Sequence, residues 1–332
     1  MIKHIEDEKV DFLWAVLYAN YPAYVGNREI YHYTSPIGFQ GIIENKSLWF
    51  TRSDCLNDYS EGLYIEQVYK NSIVGLRSSN DINDDFFELI KDIRPKNTQL
   101  IGRTTTQEEK ERFEGLQKSD KEQSCFPVPE KCFSLRECDT YICCFSKSQD
   151  SLPMWNYYSK SGRYEGYNIG FHCGTGWGFC SDTEVFHVVY SESDQTRLIQ
   201  AMVKRAYKFW QSGGDCQEAK STITECLSNW QFMFKHPSFQ HEEEVRAIYY
   251  RPIDDNELDK LPSVHFRTSN GMIIPYIELE FGIDDPNNEC VFSVTVAPLI
   301  KDKIATETTK QFLVSQGFPY QIVDNSKIPI RF

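Results

Sequence analysis

The alternation of apolar and polar positions between residues 29 and 51 is the clearest structural pattern in the chain. Ile30 to Thr34 alternates β-branched or aromatic residues with polar ones, which predicts a strand with His32 and Thr34 on one face. Ser35-Pro36 predicts a helix start, because a hydroxyl accepts a free amide and Pro at the first helical position gives up only an unpaired one. Leu48 to Thr51 then resumes as a strand. The predicted unit is a strand, a short helix and a second strand, with His32 near the end of the first strand.

Helical and strand patterns are interleaved along the rest of the chain. The spacing of apolar residues predicts helices at 7–19, 60–75, 81–93, 107–117, 151–158, 194–210, 215–234 and 306–316. Alternation predicts strands at 141–145, 167–173, 185–190, 242–250, 273–279, 290–296, 320–323 and 328–332. We therefore expect an α+β fold with residues 1–332 in one domain. Residues at about 60–130 and 194–235 are expected to be helical insertions, the first too polar to support a core of its own.

The composition predicts a globular, acidic protein. Hydrophobic residues make up 40% of the chain, and 35 basic against 48 acidic residues give a formal net charge of −13. This charge disfavours broad binding to nucleic acid or to acidic lipid. The sequence has no run of 18 apolar residues, and its first residues lack the apolar core of a signal peptide. We expect a cytoplasmic protein that does not associate with membranes.

The eleven cysteines favour reduced thiols over disulfides, because the number is odd and export features are absent. Cys125, Cys132, Cys138 and Cys143 form a loose cluster along the sequence. The cluster has no CxxC element, and structural zinc sites usually contain such a close pair. We expect no bound metal.

Two aromatic-rich stretches are candidates for ligand binding. His32, with Tyr33 and Thr34, stands at a strand end that leads into a helix N-terminus, where free backbone amides can meet an anion or a hydroxyl. Trp155, Tyr158 and Tyr167 lie in a stretch that also contains glycines, which let a backbone approach a ligand closely. These aromatics form either a stacking platform for a flat heterocycle or the packed contact between a helix and the next strand.

A charged row is the third candidate. Glu242, Glu244 and Arg246 share one side of the strand predicted at 242–250. The row forms either a solvated set of ion pairs or a site in which Arg246 orients one carboxylate while the other meets developing positive charge. Because a buried row would be costly to desolvate, we expect these charges to face water or a cleft.

Short motifs occur along nearly the whole chain. They are Tyr31-His32-Tyr33-Thr34, Gly41-Ile42-Ile43, Leu48-Trp49-Phe50-Thr51, Asn57-Asp58 with Glu61, Cys144-Phe145-Ser146, Met154-Trp155 with Tyr158, Gly170-Phe171, Glu242-x-Glu244-x-Arg246, Ile274-Pro275-Tyr276 and Ser326-Lys327-Ile328-Pro329. In this order they resemble the motifs of a bacterial family, domain of unknown function 2971. The resemblance implies no activity.

The opening His-Tyr-Thr, Gly-Ile-Ile and Leu-Trp-Phe-Thr segments are also similar to the start of several ADP-ribosyltransferase families, including a DNA-modifying toxin type and an RNA 2′-phosphotransferase type. This resemblance implies a split β-sandwich around a cleft that binds NAD as substrate. In that fold a first-strand His or Arg holds the adenosine-side ribose, an aromatic residue stacks near nicotinamide, and a late-strand Glu contacts the nicotinamide ribose. His32 matches the first motif and Glu244 the last, with Glu242 as its substrate-side partner. The aromatic motif stays open among residues from Trp155 to Tyr167.

The resemblance leads to the hypothesis of an NAD-dependent ADP-ribosyltransferase-like enzyme, acting as a toxin or in defence against phage. Its catalytic residues would be Glu244, Glu242 and His32, and its NAD-binding residues would be His32, Tyr33, Thr34, Trp155, Tyr158, Tyr167 and Arg246. The acceptor would be a macromolecule, protein rather than nucleic acid, with a regulatory partner or homo-oligomer as further partners. The alternatives are an NAD glycohydrolase and a non-catalytic module that binds a nucleotide or a protein in the same cleft. The hypothesis requires His32 and Glu244 to face one cleft.

Overall fold

The computed structural model describes residues 28–56, 62–104, 131–158, 164–173, 179–180, 183–253, 261–269, 271–282, 289–300 and 302–330. The helices predicted at 7–19 and 107–117, and the segment containing Asn57, Asp58 and Glu61, lie outside these ranges. The described chain is a mixed α+β structure, as predicted.

A large, mostly antiparallel sheet of eleven described strands forms the centre of the fold. The strands are β1 Arg28–Thr34, β2 Ser47–Arg52, β3 Thr98–Thr104, β4 Lys131–Ser146, β5 Tyr167–Cys173, β6 Glu184–His187, β7 Glu244–Pro252, β8 Val264–Ser269, β9 Met272–Glu280, β10 Val291–Val296 and β11 Val323–Asn325. The main path runs β11-β10-β5-β1-β4-β2-β9-β8; β3 and β7 also pair with β4, and β6 pairs with β7. These strands hydrogen-bond into one branched sheet, whereas a split β-sandwich has two.

The first strand–helix–strand unit forms as its sequence predicts. β1 is followed by helix α1, Pro36–Asn45, and then by β2. Ser35 caps α1 by accepting a hydrogen bond from the Gly38 amide at 3.2 Å. The helix ends at Lys46, which has a left-handed backbone (φ 47°).

β4 is much longer than the five-residue strand predicted from Tyr141 to Phe145, because it begins at Lys131. Its first half pairs with β3, and its second half pairs along its length with β7. The described part of the range predicted as a helical insertion at about 60–130 therefore contains the strand β3 besides two helices. The polar sequence of this segment gives no clear strand pattern, and β3 is stabilised by its pairing with β4.

Helices cover one face of the sheet. They are α2 Tyr64–Ser78, α3 Asp84–Ile90, α4 Leu152–Tyr158, α5 Glu192–Gln211 and α6 Cys216–Trp230, while α7 Lys303–Ser315 lies near the end of the chain. α2, α3, α5 and α6 form a buried cluster that packs on Ile142 of β4, Phe186 of β6 and Ile248 of β7. The segment at 64–90 therefore shares a core with residues 192–234. The opposite face carries a second core, which contains Phe145, Phe171 and Val245.

Several predicted boundaries shift in the structure. The strand predicted at 242–250 starts at Glu244, because Pro237–Glu242 form a 3₁₀ helix and Glu243 adopts a left-handed backbone (φ 45°). Tyr320–Ile322 form a short 3₁₀ helix where a strand was predicted. Residues 328–330 have no regular structure, although alternation predicts a strand there.

Candidate functional site

Lys235 joins two carboxylates into a compact charged network at the start of β7. Its Nζ donates to Glu242 Oε2 at 2.7 Å and to Glu244 Oε2 at 2.9 Å. Arg246 donates from Nε to Glu244 Oε1 at 2.9 Å and from Nη2 to Oε2 at 3.0 Å, which is a bidentate pair. Glu242 and Glu244 therefore belong to one site, although only Glu244 is part of the strand.

The local backbone explains how two glutamates separated by one residue reach the same lysine. The left-handed Glu243 turns the chain between the 3₁₀ helix and β7. β4 holds this turn in place, since Ser146 Oγ donates to the Glu242 carbonyl at 2.8 Å and the Lys147 amide donates to the Glu243 carbonyl at 2.9 Å. The end of β4 thus fixes where the charged network forms.

The inner part of the network is buried. The side chain of Glu244 is 5% exposed and that of Arg246 is 1% exposed. Arg246 also donates from Nη1 to the Phe232 carbonyl at 2.6 Å. The expectation that these charges face water or a cleft is wrong for Glu244 and Arg246, because the helices above β7 cover this face of the sheet. The desolvation cost that motivated that expectation is offset by the saturated, bidentate geometry.

Glu244 is held as a carboxylate. Burial alone would raise its pKa, but the positive charges of Arg246 and Lys235 outweigh burial and lower the pKa to about 2. Both of its oxygens accept charge-assisted hydrogen bonds. The charge of Glu244 is therefore neutralised by Lys235 and Arg246, so this carboxylate is poorly placed to stabilise a cation on a ligand.

Glu242 differs from Glu244 in being partly open. Its side chain is 18% exposed, and its Oε2 accepts the bond from Lys235. Among the described residues, no hydrogen bond reaches its Oε1. Glu242 is therefore the carboxylate of this pair that a ligand can approach.

Helix α4 places aromatic residues next to the network. Tyr158 is 38% exposed. Burial of its hydroxyl end, followed by nearby Cys144, Glu244 and Glu242, raises its pKa well above the usual value. The preceding Tyr157 hydrogen-bonds with His241 at 2.9 Å, which joins α4 to the 3₁₀ helix that carries Glu242. A partly open ring and a partly open carboxylate thus share one corner of the surface, which we call the Glu242–Tyr158 corner.

Trp155 and Tyr33 join α4 to β1. Their rings meet edge to face at 4.8 Å, and both side chains are buried. The Tyr33 hydroxyl donates to the Ser148 carbonyl at 2.8 Å and accepts from the Ser151 amide at 2.9 Å. Trp155 donates to Asp150 at 2.7 Å. The contact packs Trp155 of α4 against Tyr33 of β1, so the roles of these two predicted binding residues in this arrangement are structural.

His32 lies on the other face of the sheet. Its ring is 5.4 Å from that of Phe145, which belongs to the opposite core. Ser146 pairs with Glu244 and Phe145 pairs with Val245, so Phe145 points away from the Glu244 side chain. The prediction that His32 and Glu244 face the same cleft is therefore wrong, because β4 separates them.

His32 has a structural partner in β4. Its Nδ1 donates to the Cys144 carbonyl at 3.0 Å. That carbonyl lies where β1 and β2 diverge, because β1 pairs with Ser146 and β2 pairs with Ile142. Burial lowers the pKa of His32 below its usual value, against the effect of the hydrogen bond. The neutral ring therefore satisfies a backbone carbonyl that the diverging strands leave open.

Thr34 and Tyr167 pair with each other across β1 and β5 on the same face as His32. The Tyr167 ring stacks on Phe39 of α1 at 4.1 Å, and its hydroxyl is 3.3 Å from that of Thr309 in α7. Thr34 Oγ1 would be 2.2 Å from a side chain built at Gly38, so the close approach of α1 requires glycine there. The structure brings neither residue to the charged network.

Lys235 is the member of the site that sequence reasoning missed. It stands nine residues before Glu244, outside any regular spacing, in the segment between α6 and the 3₁₀ helix. Tyr190 was also missed, and its hydroxyl accepts a hydrogen bond from the Glu244 amide at 3.1 Å. The one available signal was a lysine in an otherwise apolar segment, since Phe232, Met233 and Phe234 precede it.

Residues 154–247 match the model of a family described as a protein of unknown function, DUF2971. This match includes most of α4, all of β5 and the charged network, and it supports the resemblance over that part of the chain. No curated protein and no solved structure matches the chain.

In the described ranges, no three His, Cys, Asp or Glu side chains are grouped so that they could hold a metal ion. The described helices include none long and apolar enough to span a membrane.

Proposed function

We propose that this protein is a binding module that takes the cationic nicotinamide end of NAD at the Glu242–Tyr158 corner. The observation that carries the proposal is the partly open carboxylate of Glu242 beside the partly open ring of Tyr158. A carboxylate and an aromatic face both attract a flat cation, through ion pairing and through the ring quadrupole. The nicotinamide ring of oxidised NAD is such a cation.

Rigidity of the corner supports binding. The Glu242 side chain is held by Lys235, and its backbone carbonyl is held by Ser146 of β4. The backbone amide of the nearby Glu244 is held by the Tyr190 hydroxyl. A preorganised site loses less conformational entropy when a ligand binds. Both oxygens of Glu244 are already bonded to Lys235 and Arg246, so Glu244 has a supporting role in this proposal. The catalytic roles predicted for Glu244 and His32 are not part of it.

A second candidate function is an ADP-ribosyltransferase-like or NAD glycohydrolase activity in which Glu242 takes the role predicted for Glu244. The favouring observation is Glu242 Oε1, which accepts no hydrogen bond from the described residues. Cleavage of the nicotinamide bond develops positive charge on the ribose, and a fixed carboxylate stabilises that charge. The acceptor would be a protein or water, because the net charge of −13 disfavours a nucleic acid.

Calorimetric titration with oxidised NAD, reduced NAD and ADP-ribose tests the binding proposal. Oxidised NAD carries the cationic ring, reduced NAD carries a neutral one, and ADP-ribose has none. We expect oxidised NAD to bind at least about tenfold more tightly than the other two, and Glu242→Gln to remove this preference. Equal affinity for oxidised and reduced NAD would overturn the proposal.

Glu66→Gln is the matched control. Glu66 is 22% exposed and pairs with Lys70 at 3.7 Å, so it resembles Glu242 in exposure and pairing but lies on α2. We expect this variant to bind oxidised NAD like the unmodified protein. Chromatographic detection of free nicotinamide in the same samples separates the two candidates, since release that depends on Glu242 would establish the catalytic one.

A further inference from the structure

A stack of aromatic and arginine side chains crosses the three strands at the far end of the sheet from β11. The rings of Trp49 on β2 and Tyr276 on β9 are stacked with centroids 4.4 Å apart. The guanidinium of Arg267 on β8 lies 5.6 Å from the Trp49 ring and 5.9 Å from the Tyr276 ring. Tyr276 pairs with Thr51 of β2 and with His265 of β8. Trp49 and Arg267 each lie two positions from one of these partners, so the three side chains are on one face of the sheet.

This surface is open to a ligand. Trp49 remains 45% exposed even though it stacks on Tyr276, which is buried. A ring that is held from one side and free over much of its remaining surface is a ready stacking platform for a second flat ring. β8 is the last strand on the main path of the described sheet, so no described strand follows beyond Arg267.

Arg267 lacks the carboxylate partner that Arg246 and Arg52 have. Arg267 donates from Nη2 to Thr51 Oγ1 at 2.7 Å, and its Nε is buried without a hydrogen-bond partner. In the described chain it forms no ion pair with an acidic side chain. Because the protein carries a net charge of −13, an arginine left unpaired on an aromatic surface is positioned to bind an anion from outside.

We propose that Trp49, Tyr276 and Arg267 form a binding site for a mononucleotide, with the base stacked on Trp49 and the phosphate at the Arg267 guanidinium. Glu278 pairs across the strands with Trp49 and is exposed. Its negative charge repels a phosphate on that side, so the phosphate points toward β8. This site uses none of the residues of the Glu242–Tyr158 corner and stands independently of the function proposed for it.

Titration with AMP, adenosine and ribose 5-phosphate separates the two halves of the site. We expect AMP to bind with a Kd of about 1 mM or tighter, and each half-ligand to bind at least about tenfold more weakly. Arg267→Gln is expected to reduce the affinity for AMP to that for adenosine. Trp49→Leu is expected to weaken AMP and adenosine alike.

Phe266→Ala and Arg197→Gln are the control variants. Phe266 is an aromatic 66% exposed on the other side of β8, and Arg197 is an exposed arginine on α5. Both are expected to bind AMP like the unmodified protein. The proposal is overturned if AMP does not bind at about 10 mM, if neither Arg267→Gln nor Trp49→Leu weakens it by more than about twofold, or if the controls weaken it equally.

Discussion

Two glutamates on either side of one residue, Glu242 and Glu244, share Lys235 and yet have different surroundings. Glu244 is 5% exposed and bonded through both oxygens, whereas Glu242 is 18% exposed and bonded to Lys235 through one. Alternation along a strand would make the two equivalent. The comparison teaches that proximity in sequence and a shared partner do not give two carboxylates the same function, since one supports the fold and the other is free to meet a ligand.

Glu244→Gln is expected to have the largest effect on stability. It leaves the guanidinium of Arg246 buried without its charge partner, and breaking a buried pair costs about 3–5 kcal/mol. Urea unfolding should show a loss of about 3 kcal/mol in the free energy of unfolding. A loss under about 0.5 kcal/mol, typical of exposed positions, would mean that the pair is not buried in solution.

Acid should weaken the protein through the same residue. The pKa of Glu244 falls from 4.5 to about 2 on folding, so the folded state binds its proton less readily than the unfolded state. The stabilisation is fully present above about pH 4.5 and is lost as pH falls toward 2, and the shift corresponds to about 3 kcal/mol. Unfolding measured from pH 6 to pH 2 should have a shallower pH dependence in Glu244→Gln. Identical profiles in the two proteins would contradict the lowered pKa.

His32→Ala sharpens the comparison by testing the opposite face of the sheet. The variant leaves the Cys144 carbonyl without its hydrogen bond, which should cost about 1–2 kcal/mol of stability. Binding of oxidised NAD should not change beyond the effect of stability, because β4 separates His32 from the Glu242–Tyr158 corner. A selective loss of NAD binding in a fully folded variant would show that His32 takes part in binding and would contradict this prediction.

Glu242→Gln should have the smallest effect on stability. Glu242 is partly solvated and keeps a hydrogen-bond acceptor for Lys235 in the variant, so we expect a loss of about 1 kcal/mol or less. Thermal unfolding monitored by circular dichroism measures this loss. A destabilisation as large as that of Glu244→Gln would remove the difference between the two glutamates.

Local signals in the sequence were sufficient for the first strand–helix–strand unit. Ser35 and Pro36 define the start of α1 through their own backbone chemistry, and alternation defines β1. Alternation also places His32 and Thr34 on one face, as predicted. It cannot say which face of a strand another element covers, and for this reason the burial of Glu244 and the separation of His32 from it were not predictable.

The charged network required tertiary information. Lys235 reaches Glu244 because α5 and α6 carry the chain across the sheet and return it beside β7. No spacing rule connects a lysine after a helix with a glutamate at a strand start. The left-handed turn at Glu243 was equally hidden, because glutamate has no preference for that backbone conformation.

The most direct test measures oxidised NAD affinity and unfolding free energy together in Glu242→Gln and Glu244→Gln. We predict opposite outcomes for the two variants. Glu242→Gln should lose about tenfold or more in affinity with little loss of stability, and Glu244→Gln should lose about 3 kcal/mol of stability while its folded fraction still prefers oxidised over reduced NAD. A Glu242→Gln protein that binds oxidised NAD as tightly as the unmodified protein would contradict the assignment of the site to Glu242.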